Sequence, residues 1–392
     1  FLNYKKKIGI LGSTGSIGEN TVKIISKNIN DFEVIFLSTN NNIKKLYNQS
    51  IKIRPRAVII FDNKKFIKFK KKFIKKKIKV FNSFKDLKSS LIKKKIDYIM
   101  CAISGLSGLE STINSINITK NIAIANKESI ICAWNLINKK LKKYKTKFIP
   151  VDSEHFSIWS LLKNEPINNV EKIIITASGG PFLNSKLHKL KNVKSKDAIK
   201  HPNWKMGKKI SIDSANMMNK VFEVIEACKL FKFNKNKYKI VIHPQSYVHS
   251  IIRFKNGLIK MILYNADMKI PISNTLYGKK NIFPNRSDIN LKVLNETSFQ
   301  KVNNKKFPSI KLINKILSSG YSAPIIINAS NEILVDLFLR GKIGFLDIVK
   351  TINEIFDDKD FNKYAKKKPK SVKDIKIIDD WARLKTINMC VI

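Results

Sequence analysis

Two carboxylates, Asp152 and Glu154, stand where an apolar run ends, in the stretch KFIPVDSEH from Lys147 to His155. If the strand built on Phe148, Ile149 and Val151 runs on through them, its alternation of faces turns both acids to one side. Like charges held that close repel or trap a proton unless a cation sits between them, and donors that are all oxygen suit Mg²⁺ or Mn²⁺ rather than zinc. The competing reading is that Asp152 or Ser153 merely caps a helix over Phe156 to Lys163.

A third acid comes from further along. The residues after Ile210-Ser211-Ile212-Asp213-Ser214 predict a helix through Cys228, on which Asn219, Lys220 and Glu223 share a face at i,i+4 and i,i+3 spacing. They sit among Met217, Met218, Val221, Phe222, Val224 and Ile225. Either Lys220 and Glu223 are a solvated ion pair, or Ser214, Asn219 and Lys220 bind a phosphate while Glu223 supplies one more carboxylate to a metal. Upstream, Ser178 in TASGGPF follows a strand over Lys172 to Thr176, a hydroxyl at a flexible corner suited to a phosphate or a substrate hydroxyl. The polar stretch 183–209, with His201, Trp204 and Gly207, reads as a lid, the alternative being a disordered connector. All five histidines fall between His155 and His249 without zinc-ligand spacing, so hydrogen bonding is their expected role.

These side chains need a frame. Residues 5–18, KKKIGILGSTGSIG, predict a short strand, a turn on Gly12, Gly15 and Gly18, and a helix over Asn20 to Ser26, an arrangement that brings backbone N–H groups and a helix N-terminus to a pyrophosphate. The next strand, Phe32 to Leu37, leads to Ser38-Thr39-Asn40-Asn41-Asn42 with no acid to bond a ribose 2′-hydroxyl, which favours NADP over NAD. An ordinary glycine turn in a βαβ unit is the alternative. Strands at Ala57 to Phe61, Lys79 to Phe81, Tyr98 to Ile103 and Asn121 to Ala125, with helix-period segments between, predict a parallel doubly wound sheet. The last of them runs into Asn126, Lys127 and Glu128, at the kind of corner where open α/β sheets bind ligands.

The fold class expected is therefore α/β: a Rossmann-like NADP domain over 1–150, a central α+β catalytic domain over 151–277 with a second sheet and the 183–209 lid, a linker at 278–306, and a C-terminal helical bundle over 307–392. The net charge of +47 comes from lysine spread through the whole chain of 392 residues, not gathered on one face with interleaved aromatics, so it reads as solvated surface that attracts anions and argues against a nucleic-acid scaffold. No apolar run is long enough to cross a bilayer, and Lys5 to Gly18 has no signal-peptide core. Four scattered cysteines suggest neither a zinc site nor a disulfide framework, and the expectation is a cytoplasmic protein.

Six segments in one order, GSTGSIG at 12–18, ANKES at 125–129, VDSEH at 151–155, TASGGPF at 176–182, HPNWKMGKKISIDSANMMNK at 201–220 and HPQSYVHS at 243–250, resemble the 1-deoxy-D-xylulose 5-phosphate reductoisomerase family over nearly the whole chain. The resemblance implies NADPH- and Mn²⁺- or Mg²⁺-dependent rearrangement and reduction of a small phosphorylated sugar, in isoprenoid precursor synthesis, by a homodimer without nucleic-acid or membrane partners. By resemblance Asp152, Glu154 and Glu223 would bind the metal. Lys127, Ser153, Glu154, Ser178, His201, Ser214, Asn219, Lys220 and Glu223 would meet the substrate, with Lys127, Glu154 and His201 catalytic. Thr14, Gly15, Ser16, Ile17, Asn40, Asn41, Asn42, Asn126, Glu128 and Gly207 would hold NADPH. Two departures stand out: Asn40-Asn41 replaces a small residue often followed by a basic one, weakening the expected grip on the 2′-phosphate, and Val221 replaces a glycine, which would crowd the phosphate pocket.

Overall fold

Ile8, Ile10 and Leu11 are fully buried in β1 (Lys6–Leu11), a middle strand of the computed structural model, which describes residues 4–204, 206–278 and 290–390. With β2 (Phe32–Thr39), β3 (Ala57–Ile60), β4 (Lys79–Phe81), β5 (Ile96–Cys101), β6 (Thr119–Ile124) and β7 (Lys147–Pro150) it forms a seven-stranded sheet of order β4-β3-β2-β1-β5-β6-β7, parallel at every pairing. Both faces are covered, so strands such as β5 are buried at every residue. The one acid in β5, Asp97, accepts hydrogen bonds from the Tyr4 hydroxyl at 2.6 Å, the Lys7 N–H at 2.8 Å and Lys120 Nζ at 3.0 Å.

The helices of this sheet are α1 (Ser16–Lys27), α2 (Ile43–Ile53), α3 (Asn63–Ile74), α4 (Phe84–Leu91), α5 (Leu109–Ser115) and α6 (Lys127–Lys143). Side-chain caps start most of them: Asn42, Asp62, Ser83 and Asn126 each accept a backbone N–H from the first turn. The chain moves outward from β1 to β4, then returns to β5 on the other side, which makes the β1/β5 boundary the switch point where such sheets bind ligands. The parallel doubly wound expectation holds. Several boundaries differ by a few residues: α1 begins at Ser16 rather than Asn20, β2 runs to Thr39, β3 ends at Ile60, and β5 and β6 start two residues early, at Ile96 and Thr119.

This first unit comprises residues 4–130, 135–152 and 268–278; residues 131–134, 153–267 and 290–390 form the second. Helix Lys269–Tyr277 therefore counts with the first unit, whereas the expected boundary at 277 placed it in the central domain.

In the second unit a five-stranded sheet has the order β11-β10-β8-β9-β12, from β8 (Val170–Ala177), β9 (Tyr238–Ile242), β10 (Val248–Phe254), β11 (Ile259–Leu263) and β12 (Gln300–Lys301). A hairpin over Lys255 to Gly257 joins β10 to β11. Its helices include α7 (Ser153–Leu161), α8 (Ser195–Ala198), α9 (Lys208–Ala215) and α10 (Met218–Phe231). Ile158 of α7 and Val224 and Ala227 of α10 are buried in one cluster with Val170, Ile173, Ile175, Ile252 and Phe254 of the sheet. At ~1.5–3 kcal/mol for each large apolar side chain buried, that cluster holds α7 and α10 to the same face. Helices Leu312–Ser319, Ala323–Leu339, Phe345–Ile355, Phe361–Ala365 and Val372–Cys390 follow as expected.

Three expectations are corrected. The strand ends at Pro150 and a helix opens at Ser153, so Asp152 and Glu154 do not share a strand face; Glu154 lies in the first turn of α7, where the helix N-terminus favours an acid. The 183–209 stretch is not one open loop, since it holds a 3₁₀ helix at Leu187–Asn192, α8 and the start of α9. Of the 278–306 linker, residues 279–289 lie outside the described residues, and the remainder contains helix Leu291–Asn295 and β12. Among the described residues no helix is long and apolar enough to cross a membrane.

Candidate active site

The α7–α10 packing sets Glu154, one turn above Ile158, beside Glu223, next to Val224. Asp152 is one peptide bond ahead of α7, and one carboxylate oxygen each from Asp152, Glu154 and Glu223 lie within 4.8 Å of one another. Lys220 Nζ is 2.6 Å from Glu154 Oε1 and 2.6 Å from Glu223 Oε2. Burial alone would lower the Lys220 pKa, but the Glu154 and Glu223 carboxylates more than offset it and hold the ammonium above its usual range. The solvated ion-pair alternative thus fails: Glu223 is 1% exposed and Lys220 7%. Among the described residues only Lys127 and Lys220 are buried lysines, and Lys127 Nζ lies 3.4 Å from Asp152 Oδ2.

Neighbours fix these groups. Asn219 Nδ2 donates to Glu223 Oε1, and Ser153 Oγ donates to Glu154 Oε2 at 2.5 Å. His155, fully buried, donates from Nε2 to the Glu223 carbonyl at 2.9 Å, a direct tie between α7 and α10. Ser250 Oγ donates to the Glu154 carbonyl at 3.0 Å and Tyr264 Oη to the Ser153 carbonyl at 2.8 Å. Tyr264 carries no spacing signal in the sequence; only the fold reveals its part.

A second cluster forms after β8. His201 Nδ1 accepts the N–H groups of Asn203 at 3.1 Å and Trp204 at 3.0 Å, so its proton resides on Nε2, which donates to Ser178 Oγ at 2.9 Å. Ser178 Oγ also accepts the Gly180 N–H at 3.1 Å. With both lone pairs taken, the Ser178 O–H is left to donate to an incoming oxygen. Burial and then the Lys220 charge push the His201 pKa down to about 4, which keeps the ring neutral. Gly180, at φ +65°, lets this corner lie against α9: a Cβ there would stand 2.9 Å from the Ser214 carbonyl oxygen. Trp204 of the expected lid sets its ring edge-on to His249 at 5.9 Å. Gly207 is exposed at the N-cap of α9. Val221 is fully buried in α10.

In the first unit, the turn Gly12 to Gly15 follows β1. Gly12 has φ +76°, and a Cβ on it would lie 2.6 Å from the Ala102 carbonyl oxygen, so the turn tolerates no side chain there. Gly15 and Ser16 are exposed at the start of α1, whose N-cap has no side-chain acceptor and leaves backbone N–H groups open to an anion. Thr14 Oγ1 bonds Thr39 Oγ1 at 2.8 Å, which joins the turn to the end of β2. Asn40, Asn41 and Asn42 are exposed beyond it, and Asn42 caps α2. Asn126 is buried, its amide donating to the carbonyls of Ile103 and Gly105 while its oxygen caps α6; its side chain shapes the corner from which Lys127 and Glu128 begin the helix. Ile17 is half-buried in the first turn of α1.

The donor set suits a hard divalent ion. Oxygens bound at 2.0–2.6 Å to one centre lie within ~4–5 Å of one another, and three carboxylates against two lysines leave an excess of negative charge. Zinc would call for histidine or cysteine, and none belongs to this set.

Models of the 1-deoxy-D-xylulose 5-phosphate reductoisomerase match residues 8–134, and models of its C-terminal domains match 148–231 and 263–385. The reductoisomerase of Pelagibacter ubique is 49% identical over 98% of this chain and 100% of its own, and that of Bacteroides thetaiotaomicron 38% over 91% of each. Among solved structures, the Zymomonas mobilis enzyme in complex with NADPH is 33% identical and superposes with a TM-score of 0.90 over 99% of both chains. A DOX-P reductoisomerase in complex with NADPH, fosmidomycin and magnesium superposes at 0.91 over 98% of both, with 31% identity.

Proposed function

This chain belongs to the 1-deoxy-D-xylulose 5-phosphate reductoisomerase family, and on that premise we propose how its own residues carry the family's reaction. It converts 1-deoxy-D-xylulose 5-phosphate to 2-C-methyl-D-erythritol 4-phosphate, an oxidoreductase step of isoprenoid precursor synthesis that uses NADPH and a divalent metal ion. The convergence of Asp152, Glu154 and Glu223 at the start of α7 carries the reading.

When bound, the divalent ion supplies positive charge against developing negative charge on the substrate oxygens, and NADPH supplies the hydride. Asp152, Glu154 and Glu223 hold the ion. Lys127 balances Asp152 and offers an ammonium to the reacting end of the substrate. Ser178 gives its free O–H to a phosphate oxygen, and His201, neutral and fixed by two backbone N–H groups, orients that hydroxyl. Ser214, Asn219 and Lys220 complete the phosphate grip, and Ser153 stands beside Glu154. Anchoring the phosphate converts remote binding energy into orientation of the reacting carbons. The glycine turn, Thr14 to Ile17, and the Asn40 to Asn42 tip hold NADPH, with Asn126, Glu128 and Gly207 as further contacts.

The reading includes a homodimer in the cytoplasm. Leu258, just ahead of edge strand β11, is 57% exposed, and Ile259 and Met261 within it are 59% and 43% exposed, an apolar edge that a second copy would cover. All four cysteines are free, as a reducing compartment keeps them. The test is NADPH oxidation with the xylulose phosphate and Mn²⁺, with the product identified by NMR. A branched 2-C-methyl-erythritol skeleton is expected, and an unbranched product or no oxidation would overturn the reading.

A further inference from the structure

The tip that follows β2 has no acid, as NADP binding requires, but it also has no basic residue of its own in sequence: Asn40, Asn41 and Asn42 are neutral. A 2′-phosphate carries close to two negative charges, and amide groups in water hold it weakly without a cation. The fold brings one in from 24 residues away. Lys65, in the first turn of α3, donates from Nζ to the Asn41 carbonyl at 2.9 Å, which fixes its ammonium at the tip.

Of the lysines near this corner, Lys44 and Lys64 are exposed and make no hydrogen bond to the tip among the described residues, and Lys45 is already committed. Lys45 Nζ lies 2.6 Å from Glu19 Oε2 and also donates to the Thr14 carbonyl at 3.4 Å. Lys65 has no carboxylate partner among the ion pairs of the described residues. The nearby acid, Asp62, accepts the Lys65 backbone N–H at 2.9 Å as the cap of α3, so its charge faces that helix N-terminus. The Asn42 side-chain oxygen is likewise taken, capping α2 by accepting the Lys45 N–H at 3.2 Å, and its amide brings no charge to the phosphate. Among the described residues Lys65 is thus the uncommitted ammonium that a hydrogen bond holds at the tip, where the 2′-substituent of an adenosine ribose lies in this class of sheet.

We propose that Lys65 is a specificity-determining residue that selects NADPH over NADH by pairing with the 2′-phosphate. The proposal rests on the cofactor reading above and adds to it a residue that the tip sequence does not contain. The ammonium reaches the phosphate through solvent-exposed space, so its contribution is screened by salt.

The test is direct binding of NADPH and NADH to the full chain, followed by nicotinamide fluorescence, with adenosine 2′,5′-bisphosphate as a competing probe that lacks the nicotinamide. Lys65→Ala is expected to weaken NADPH and the bisphosphate by about tenfold or more while leaving NADH unchanged, a charged hydrogen bond being removed. Lys65→Glu should weaken them further, Lys65→Arg should restore most of the affinity, and raising the salt should narrow the gap between wild type and Lys65→Ala. Lys76→Ala, in the loop after α3, controls for loss of a surface charge. Unchanged NADPH binding in Lys65→Ala, or an equal loss for NADPH and NADH, would overturn the assignment while leaving the cofactor reading intact. A wild-type chain that binds neither dinucleotide would overturn both.

Discussion

The glycine corner after β1 and the acidic corner ahead of α7 both lie where a parallel strand ends, yet one presents backbone N–H groups and exposed polar side chains while the other packs charged groups out of water. At the first, Gly15, Ser16 and Asn40 to Asn42 are exposed, and the demand on sequence is for the absence of a side chain. At the second, Glu223 and Lys220 are buried and each depends on the other for its charge. A buried charge that loses its partner is costly, whereas an exposed amide that is lost is replaced by water. Single substitutions should therefore act sharply at the acidic corner and gradually at the glycine corner.

The sharpest break of that contrast is Glu223→Gln. The amide keeps the shape and can still accept from Asn219, but it removes one of three carboxylates and half of the countercharge of Lys220. Turnover should fall about 10²–10³-fold, with metal affinity weakened about 10–100-fold and the circular dichroism spectrum preserved. Wild-type kcat with a native metal affinity would mean that the three acids are a structural ion network. Metal removal tests the same corner without mutation. Excess EDTA should bring turnover to background and Mn²⁺ restore it, while NADPH still binds the first unit; loss of NADPH binding in EDTA would erase the distinction between the corners.

The glycine corner is sharpened by two alanines of opposite consequence. At Gly12, φ is +76° and a Cβ meets the Ala102 carbonyl at 2.6 Å, so Gly12→Ala should cost ~2–3 kcal/mol of stability in urea unfolding. At Gly15 a Cβ would have its nearest neighbour at 3.5 Å, an ordinary contact. Gly15→Ala should leave the urea midpoint within ~0.5 kcal/mol of wild type and weaken NADPH binding, since the methyl group enters the space over the α1 N-terminus. Equal stability losses in the two would deny that Gly15 is kept open for a ligand.

Much of this was legible in the chain because backbone demands and apolar alternation leave direct marks: the β1 turn and the succession of the first six strands along the chain follow from them. The acids at 152 and 154 were legible as a pair, but for a wrong geometric reason. A four-residue strand stopped by Pro150 and followed by Ser153 is too short for face alternation to decide between strand and helix, and the helix takes both acids round a corner. Helix α9 was hidden because Ile210-Ser211-Ile212 alternates like a strand, and its position is set from outside, by Asn331 Nδ2 donating to the buried Asp213 at 2.8 Å and by Gly180 against Ser214. Glu223 was marked by its spacing from Lys220, but only burial distinguishes a surface pair from this one. Lys65 and Tyr264 had no mark, because their neighbours lie far off in sequence.

The smallest effect expected comes from acid, and it too separates the corners, since every histidine lies in the second unit. Burial and the Lys220 charge hold His201 neutral down to about 4, whereas in the unfolded chain the ring takes its proton near its ordinary value of 6.5. Between those two values the unfolded state binds more protons than the folded one, so stability is fully present above about 6.5 and declines as the pH falls toward 4. His201→Gln retains an N–H donor for Ser178 and has no ring to titrate. Urea midpoints at pH 7.5 and pH 5 should therefore differ less in His201→Gln than in wild type, and NADPH affinity at the glycine corner should be the same at both pH values in each. An equal drop in both proteins would mean that the ring takes up its proton without strain, and that the neutral imidazole is not what keeps the Ser178 hydroxyl turned outward.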